Sequence, residues 1–415
     1  MTPTPATVVA VGAGQATVSA VRLLRRRGFD GRLVVLGDEP HAPYQRPPLS
    51  KEYLRGDADL DDVTILDPSW CSANDVELLL GTRAERVSTD GSARRVHLAG
   101  GEELVADAVV VATGVRARRL PGVAGDRVAY LRTLDDADRL RTLLPSAGRV
   151  AIIGAGLIGS EVAASARDLD VEVTCFEAAP LPLLGQLGPQ MARVYAEMHR
   201  ENGVDLRLAQ QIESVAETAS GVLVRTADGD AVEADLLVVA VGAVPNDELA
   251  RASGLPIDPV AGGVLVDGRC RTPVEGVFAA GDVASRFDPA TGRHIRVEHS
   301  DNAGRQGTAV ARTLLGQPVA AEEPAWFWSD QNDFGLQFVG CPRPDATLVV
   351  RGSVPDRDFA AFYLHDGRVH AAFAVDRGGD VTAARELISR RLPVPEAALA
   401  DEDIDLLTLL DAVEA

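Results

Sequence analysis

Two stretches of the chain share one pattern of apolar and polar positions. TVVAVGAG at 7–14 and RVAIIGAG at 149–156 are short apolar runs that end in glycines. Each is followed by a stretch of helical periodicity, QATVSAVRLLRRRG or LIGSEVAASARDLD, and then by a second apolar run, RLVVLGD or EVTCFEA. Strand, helix and strand within about 30 residues predict a βαβ unit and a parallel sheet. The first glycines, Gly12 and Gly154, stand 142 positions apart, so the chain repeats itself coarsely. Two further apolar runs end in glycine, ADAVVVATG at 106–114 and ADLLVVAVG at 234–242. The simplest arrangement is two nucleotide-binding domains, the second inserted into the first.

On that reading 1–115 and 246–322 form one discontinuous domain, and 116–245 form the inserted one. From 323 the texture changes. WFWSDQ opens a strand-rich segment, and FAAFYLHDGRVHAAFAV reads as a hairpin whose Asp366–Gly367 pair suits a two-residue type I′ turn. Two helical patterns, TAARELISRRL and DIDLLTLLDAVE, close the chain, so 323–415 read as a small α+β domain. The fold class expected is α/β: two Rossmann-like dinucleotide-binding domains and a C-terminal α+β domain.

Composition narrows the function classes. With 41 basic and 61 acidic residues the formal charge is −20, which argues against nucleic acid as a partner. Cys71, Cys175, Cys270 and Cys341 stand alone, with no CxxC or CxxxxC pair for a zinc, a cluster or a redox disulfide. The N-terminus has no basic segment ahead of an apolar one, so no signal peptide is expected. The longest apolar runs reach about ten residues, against roughly 20 for a spanning helix. A cytoplasmic, non-membrane protein is the expectation.

The glycines carry the first chemistry. Gly12-x-Gly14 and Gly154-x-Gly156-x-x-Gly159 each follow a strand and open a helix. Glycine permits the tight turn and lets a pyrophosphate approach the helix N-terminus, where free N–H groups and the dipole favour an anion. Thr17 stands where the third glycine of the first copy would fall. An acid ending the second strand is expected on the adenosine ribose: Asp38, or Glu39 beside it, in the first unit and Glu177 in the second. The AAPLPLLGQ after Glu177 has no basic residue to meet a 2′-phosphate, which favours NADH over NADPH. Asp282, in RTPVEGVFAAGD, follows an apolar strand where a carboxylate could accept from a ribityl chain or cap a helix.

Taken together, the paired fingerprints, the ATG and VGAVPN strands and the AAGD stretch resemble the flavoproteins built from two dinucleotide domains, the glutathione-reductase-like architecture. PYQRPPLSKEYL, YLRTLDDA, GLIGSEVAASARDL and WFWSDQ further resemble the FAD-dependent ferredoxin reductases of P450 and ring-hydroxylating oxygenase systems. That group includes putidaredoxin reductase, rubredoxin reductase and the dioxygenase reductase components. The resemblance implies hydride transfer from NADH to FAD and single-electron transfer to a small iron–sulfur ferredoxin. It implies no metal site of the protein's own, and a monomer or weak homodimer.

Carried over by position, it puts Ala16, Asp38, Lys51, Ala84, Arg132, Asp282 and Ser300 on FAD, and Gln306 on the helix aimed at the flavin. It puts Gly156, Ile158, Gly159, Glu161, Glu177 and Gly242 on or near NADH, with Glu298 and Trp328 near the nicotinamide. Relatives often carry an arginine soon after the ribose acid, and this chain does not. Arg305 and Arg312, seven apart on one predicted helix face, are candidates for docking an acidic ferredoxin. A disulfide reductase would need a paired redox cysteine, which Cys71 lacks; a flavin monooxygenase or a redox-switched binding protein resembling apoptosis-inducing factor shares the fold.

Lys51 is the single lysine among 41 basic residues. Arginine is a planar fork, whereas lysine is a compact, rotatable point charge. A lone ammonium in the proline-stiffened PYQRPPLSKEYL is expected to ion-pair with Glu161 beside the flavin.

Overall fold

A computed structural model describes residues 4–91, 93–288, 292–320 and 323–411. The chain separates into two compact units. One comprises Met1–Pro47, Asp59–Arg116 and Ala243–Glu322; the other comprises Pro48–Ala58, Ala117–Gly242 and Glu323–Ala415.

The first unit is organised by a five-stranded parallel sheet in the order Val277–Ala279, Ala108–Val111, Thr7–Val11, Arg32–Leu36, Val76–Leu79. Its central strands read as unbroken apolar runs because both faces are covered. The helices Gln15–Arg26 and Ser300–Leu314 pack together on one face, over Val8, Ala10, Val35 and Val110. On the other face Val9, Val11, Val34 and Val111 pack with Val87, Val96 and Leu98 of an antiparallel three-stranded sheet. Gly307 brings the two helices close, since a Cβ there would lie 2.0 Å from the Ala16 carbonyl oxygen.

The second unit repeats the design with Val204–Arg207, Glu172–Phe176, Arg149–Ile153, Leu236–Val239 and Val128–Tyr130 in parallel. It also holds a five-stranded antiparallel sheet, ordered Trp326–Gln331, Phe334–Gly340, Arg368–Val375, Asp358–His365, Thr347–Ser353. The hairpin expected at Asp366–Gly367 forms with both residues at positive φ, 50° and 68°, as a type I′ turn requires. Asp358–His365 is buried along nearly its whole length because a helix covers each face of its sheet. Gly378–Arg390 packs on one side through Val381, Ala384 and Leu387. Leu184–Glu201 packs on the other through Met191, Tyr195 and Met198.

The segment Pro48–Ala58, which holds PLSKEYL, lies in this second unit, although its neighbours on both sides in sequence belong to the first. Tyr53 donates to Asp138 at 2.6 Å, Ser165 donates to the Ser50 carbonyl at 2.7 Å, and Arg55 pairs with Asp168 at 3.5 Å. Among the described residues no helix is long and apolar enough to cross a membrane.

Candidate functional site

The glycine turns are built alike in the two units. Gly12 and Gly154 take φ of +111° and +100°, and a Cβ on either would lie within 2.4 Å of a carbonyl oxygen, of Ala112 and Ala240 respectively. Gly159 is equally constrained, with Gly154's carbonyl oxygen 1.9 Å from the position of its absent Cβ. In the first unit Thr17 replaces that third glycine and turns its hydroxyl back to the Gly12 carbonyl at 2.5 Å.

Gly14 and Gly156 behave oppositely. Both are helix N-caps, and a Cβ on either would meet no atom within 4 Å. Neither helix start has a side-chain cap or an acid in its first turn. Two helix N-termini are thus left with open space beside unspent N–H groups, the form that a bound pyrophosphate completes. FAD and a nicotinamide dinucleotide fit these cradles, one in each unit.

Around the first cradle, Ala16 is buried against Gly281, and Gln306, also buried, accepts from the Gly281 N–H at 2.8 Å. This holds the turn that carries Asp282, which lies within electrostatic reach of Arg46 and His299. Burial lowers the His299 imidazole from its ordinary value, keeping the ring neutral ahead of Ser300, the first residue of the Ser300–Leu314 helix. Ala84 begins the strand Ala84–Asp90. Glu298 is ion-paired to Arg296. Asp38 is two-thirds exposed and reaches Arg83 at 3.4 Å, whereas Glu39 is held by Arg46 at 2.6 Å and by the Tyr44 hydroxyl at 2.5 Å. Arg46, quoted in PYQRPP without a role, is therefore a candidate that sequence reasoning missed.

Around the second cradle, the Glu177 carboxylate accepts the N–H groups of Ala155 and Ala179, both at 2.8 Å, placing it at the glycine turn. Ile158 is 42% exposed, unusual for isoleucine in a helix first turn. Gly242 takes φ of +95° three residues past the strand Leu236–Val239, and Arg132 stands just before the capping box of Thr133 and Asp136.

Lys51 and Glu161 come together. Their Nζ and Oε1 are 3.2 Å apart, and each side chain is 5% exposed. The Ser329 hydroxyl donates to the same carboxylate at 2.6 Å, and the Ser50 hydroxyl donates to its other oxygen. Three donors on one buried carboxylate form a satisfied charge cluster rather than a surface pair. Trp328, one residue before Ser329, is half-buried and stacked on Trp326 at 5.2 Å. Burial pushes the neighbouring Asp330 carboxyl up, and Lys51 pulls it partly back. Ser50 and Ser329 lie inside the quoted strings PPLSK and FWSDQ, but single serines carry no periodicity that would mark them.

Cys71, Cys175 and Cys270 are buried, and burial raises each thiol, Cys270 to about 12, whereas Cys341 is exposed. Among the described residues no cluster of His, Cys, Asp or Glu is placed to hold a metal. Of the two docking candidates, Arg305 is ion-paired with Asp301 one turn back, and Arg312 donates to the Pro318 carbonyl at 3.1 Å.

Two dinucleotide cradles and a buried ammonium–carboxylate pair define a two-dinucleotide flavoprotein oxidoreductase. Residues 6–307 match the family described as pyridine nucleotide-disulphide oxidoreductase, and residues 326–410 match the reductase C-terminal family. The chain is 41% identical to the anthranilate 1,2-dioxygenase system ferredoxin–NAD(+) reductase component of Burkholderia cepacia, covering 97% of this chain and 98% of that one. It is 35% identical to putidaredoxin reductase of Pseudomonas putida, covering 98% and 97%. The reductase in the crystal structure of the covalent putidaredoxin reductase–putidaredoxin complex superposes with a TM-score of 0.93 at 35% identity, over 99% of each chain. This chain belongs to the pyridine nucleotide-disulphide oxidoreductase family, within its branch of FAD- and NADH-dependent ferredoxin reductases.

Proposed function

We propose that the protein carries electrons from NADH to a small iron–sulfur ferredoxin that serves a P450 or a ring-hydroxylating oxygenase. The observation that supports it most is the pair of open glycine cradles, one per unit, in a chain whose relatives are named for this exchange. When bound, FAD supplies the chemistry, accepting a hydride from NADH and releasing electrons singly.

The chain's own residues bind and orient. Gly12, Gly14, Ala16 and the acid at Asp38, with Glu39 beside it, would hold the flavin dinucleotide's phosphates and ribose; Ala84, Asp282 and Ser300 would hold its remainder. Lys51 and Arg132 are assigned to the same cofactor by resemblance. Gly154, Gly156, Ile158, Gly159, Glu177 and Gly242 would hold NADH, with Glu298 and Trp328 toward its nicotinamide. One Glu177 carboxylate oxygen already accepts from the glycine turn, at the Ala155 N–H, and the other accepts from Ala179, so a ribose hydroxyl could take over one N–H's place. A 2′-phosphate there would face this carboxylate without a cation from AAPLPLLGQ, which supports NADH over NADPH. Lys51 and Glu161 are the catalytic pair in this reading, a local ammonium whose charge is balanced until the cofactors change theirs. Residues 1–115 with 246–322 form the FAD domain, 116–245 the NADH domain and 323–415 the third domain, in a cytoplasmic monomer or weak homodimer.

The test mixes the purified yellow protein with NADH or NADPH and a panel of ferredoxins and rubredoxins, following cytochrome c reduction. Fast turnover with NADH and a [2Fe–2S] ferredoxin is expected. Turnover with rubredoxin alone, or NADH oxidation that no iron–sulfur protein accelerates, would overturn the reading.

A further inference from the structure

Behind Glu161 lies a line of buried polar groups that the binding of FAD and NADH does not use. Ser329 Oγ is 2.6 Å from Glu161 Oε1, Gln331 Nε2 is 2.8 Å from Ser329 Oγ, and the Tyr195 hydroxyl is 2.9 Å from Gln331 Oε1. Ser329 and Tyr195 are fully buried, and Gln331 is 4% exposed.

We propose that Tyr195, Gln331 and Ser329 are positioning residues, a one-way hydrogen-bond relay that fixes the orientation of the Glu161 carboxylate and, through it, of the Lys51 ammonium. The proposal rests on the reading that Lys51 and Glu161 serve hydride transfer.

The direction follows from donor and acceptor inventories. A carboxylate paired with an ammonium only accepts, so the single Ser329 proton goes to Glu161. Ser329 Oγ can then only accept, and what faces it must be the amide NH2 of Gln331. That leaves the Gln331 carbonyl for the tyrosine, whose one proton it takes. All three donors aim the same way, and in such a chain each bond polarises the next. No reversed arrangement exists without setting two acceptors against each other at Glu161.

The fold supplies the alignment. Ser329 and Gln331 are two apart on the strand Trp326–Gln331 and therefore share a face. Tyr195 comes from the helix Leu184–Glu201, with its ring packed edge-on to His199 at 4.8 Å among Met191, Met198 and Leu336. His199 is buried, and burial holds its imidazole down at about 4, so it adds no competing charge at neutral pH. The other groups with charge or titration nearby are Lys51 itself, Asp330 beyond it, and Cys175 beside Tyr195.

Apolar side chains would fill this core as well. A network of buried polar groups gains little stability over them, and what it supplies is one defined geometry. The amide in the middle does not pass protons at neutral pH, so the relay orients Glu161 and does not feed it.

The test uses the FAD-loaded protein, with Ser329→Ala, Gln331→Met and the conservative Ser329→Thr compared with Lys51→Met and Glu161→Gln. Two quantities are read: the limiting rate of flavin reduction against the NADH dissociation constant, and the flavin midpoint potential. Ser329→Ala is expected to lower the limiting rate about tenfold, and Gln331→Met about threefold, with NADH affinity unchanged within about twofold. Both should move the potential in one direction, Ser329→Thr should restore both readouts, and Ser329→Ala should add nothing in a Glu161→Gln background. If Lys51→Met and Glu161→Gln slow reduction while Ser329→Ala and Gln331→Met match the wild type, the relay is packing only and the proposal falls. If none of the four slows it, the reading of the pair itself fails, and the relay with it. Should Ser329→Ala fold poorly, the near-isosteric Gln331→Met decides alone.

Discussion

Replacing Lys51 with methionine keeps an unbranched side chain one atom shorter and removes one buried charge. At 3.2 Å and an effective dielectric of about 20, the lost attraction to Glu161 is about 5 kcal/mol before desolvation is counted. Both side chains are only 5% exposed, so water does not screen the carboxylate left behind. One-sided removal from a buried pair costs about 3–5 kcal/mol. Here the Ser50 and Ser329 hydroxyls remain on Glu161, which puts the expected loss at the lower end, about 3 kcal/mol. The double variant Lys51→Met/Glu161→Leu removes both charges and should cost less than the sum of the two single changes, because no buried charge is left unpaired, although the Ser50 and Ser329 hydroxyls lose their acceptor. Equilibrium urea unfolding in a Trp70→Phe background measures this, since Trp326 and Trp328 then report the second unit alone. A Lys51→Met cost under about 1 kcal/mol, or a double variant as unstable as the sum of the single changes, would refute the reasoning. Lys51→Arg should not rescue, because a planar fork cannot replace a compact charge in a buried site.

Other substitutions separate folding from binding. Gly159→Ala should cost at least about 2 kcal/mol by thermal melting, because its Cβ meets the Gly154 carbonyl at 1.9 Å. Gly156→Ala, with φ of −74° and nothing within 4 Å, should leave the melting point unchanged while weakening NADH binding about tenfold by calorimetric titration. Glu177→Ala should likewise weaken NADH by about tenfold and narrow its advantage over NADPH, measured as the ratio of kcat/KM values. His199 supplies a pH dependence. Burial holds it at about 4 in the folded protein against about 6.5 when unfolded, so between those values the unfolded chain binds the extra proton. Stability should therefore fall as the pH drops from 6.5 toward 4, by about 3 kcal/mol from this group, and His199→Phe should flatten that limb in urea titrations at graded pH.

Much of the architecture was legible because glycine and apolar runs have steric consequences that do not depend on distant sequence. The turns at Gly12 and Gly154 need positive φ, the Asp366–Gly367 hairpin needs two such residues, and all adopt it. Lys51 stood out as a single lysine among arginines, and its pairing with Glu161, expected alongside the family resemblance, is found in the structure. What escaped was set by tertiary contact. Nothing in Pro48–Ala58 says that it joins the second unit, because Ser50, Tyr53 and Arg55 become anchors only once Ser165, Asp138 and Asp168 are folded beside them. Tyr195, Gln331 and Ser329 come from a helix and a strand more than 100 positions apart, and no local pattern links them.

Anaerobic stopped-flow mixing of the FAD-loaded protein with NADH, followed by a second mix with an oxidised [2Fe–2S] ferredoxin, tests the central claim most directly. Rapid bleaching of the flavin absorbance by NADH is expected, with much slower bleaching by NADPH and return of the oxidised spectrum as two ferredoxins are reduced per NADH. A flavin that NADH does not bleach, or a reduced flavin whose reoxidation no ferredoxin accelerates, would contradict it.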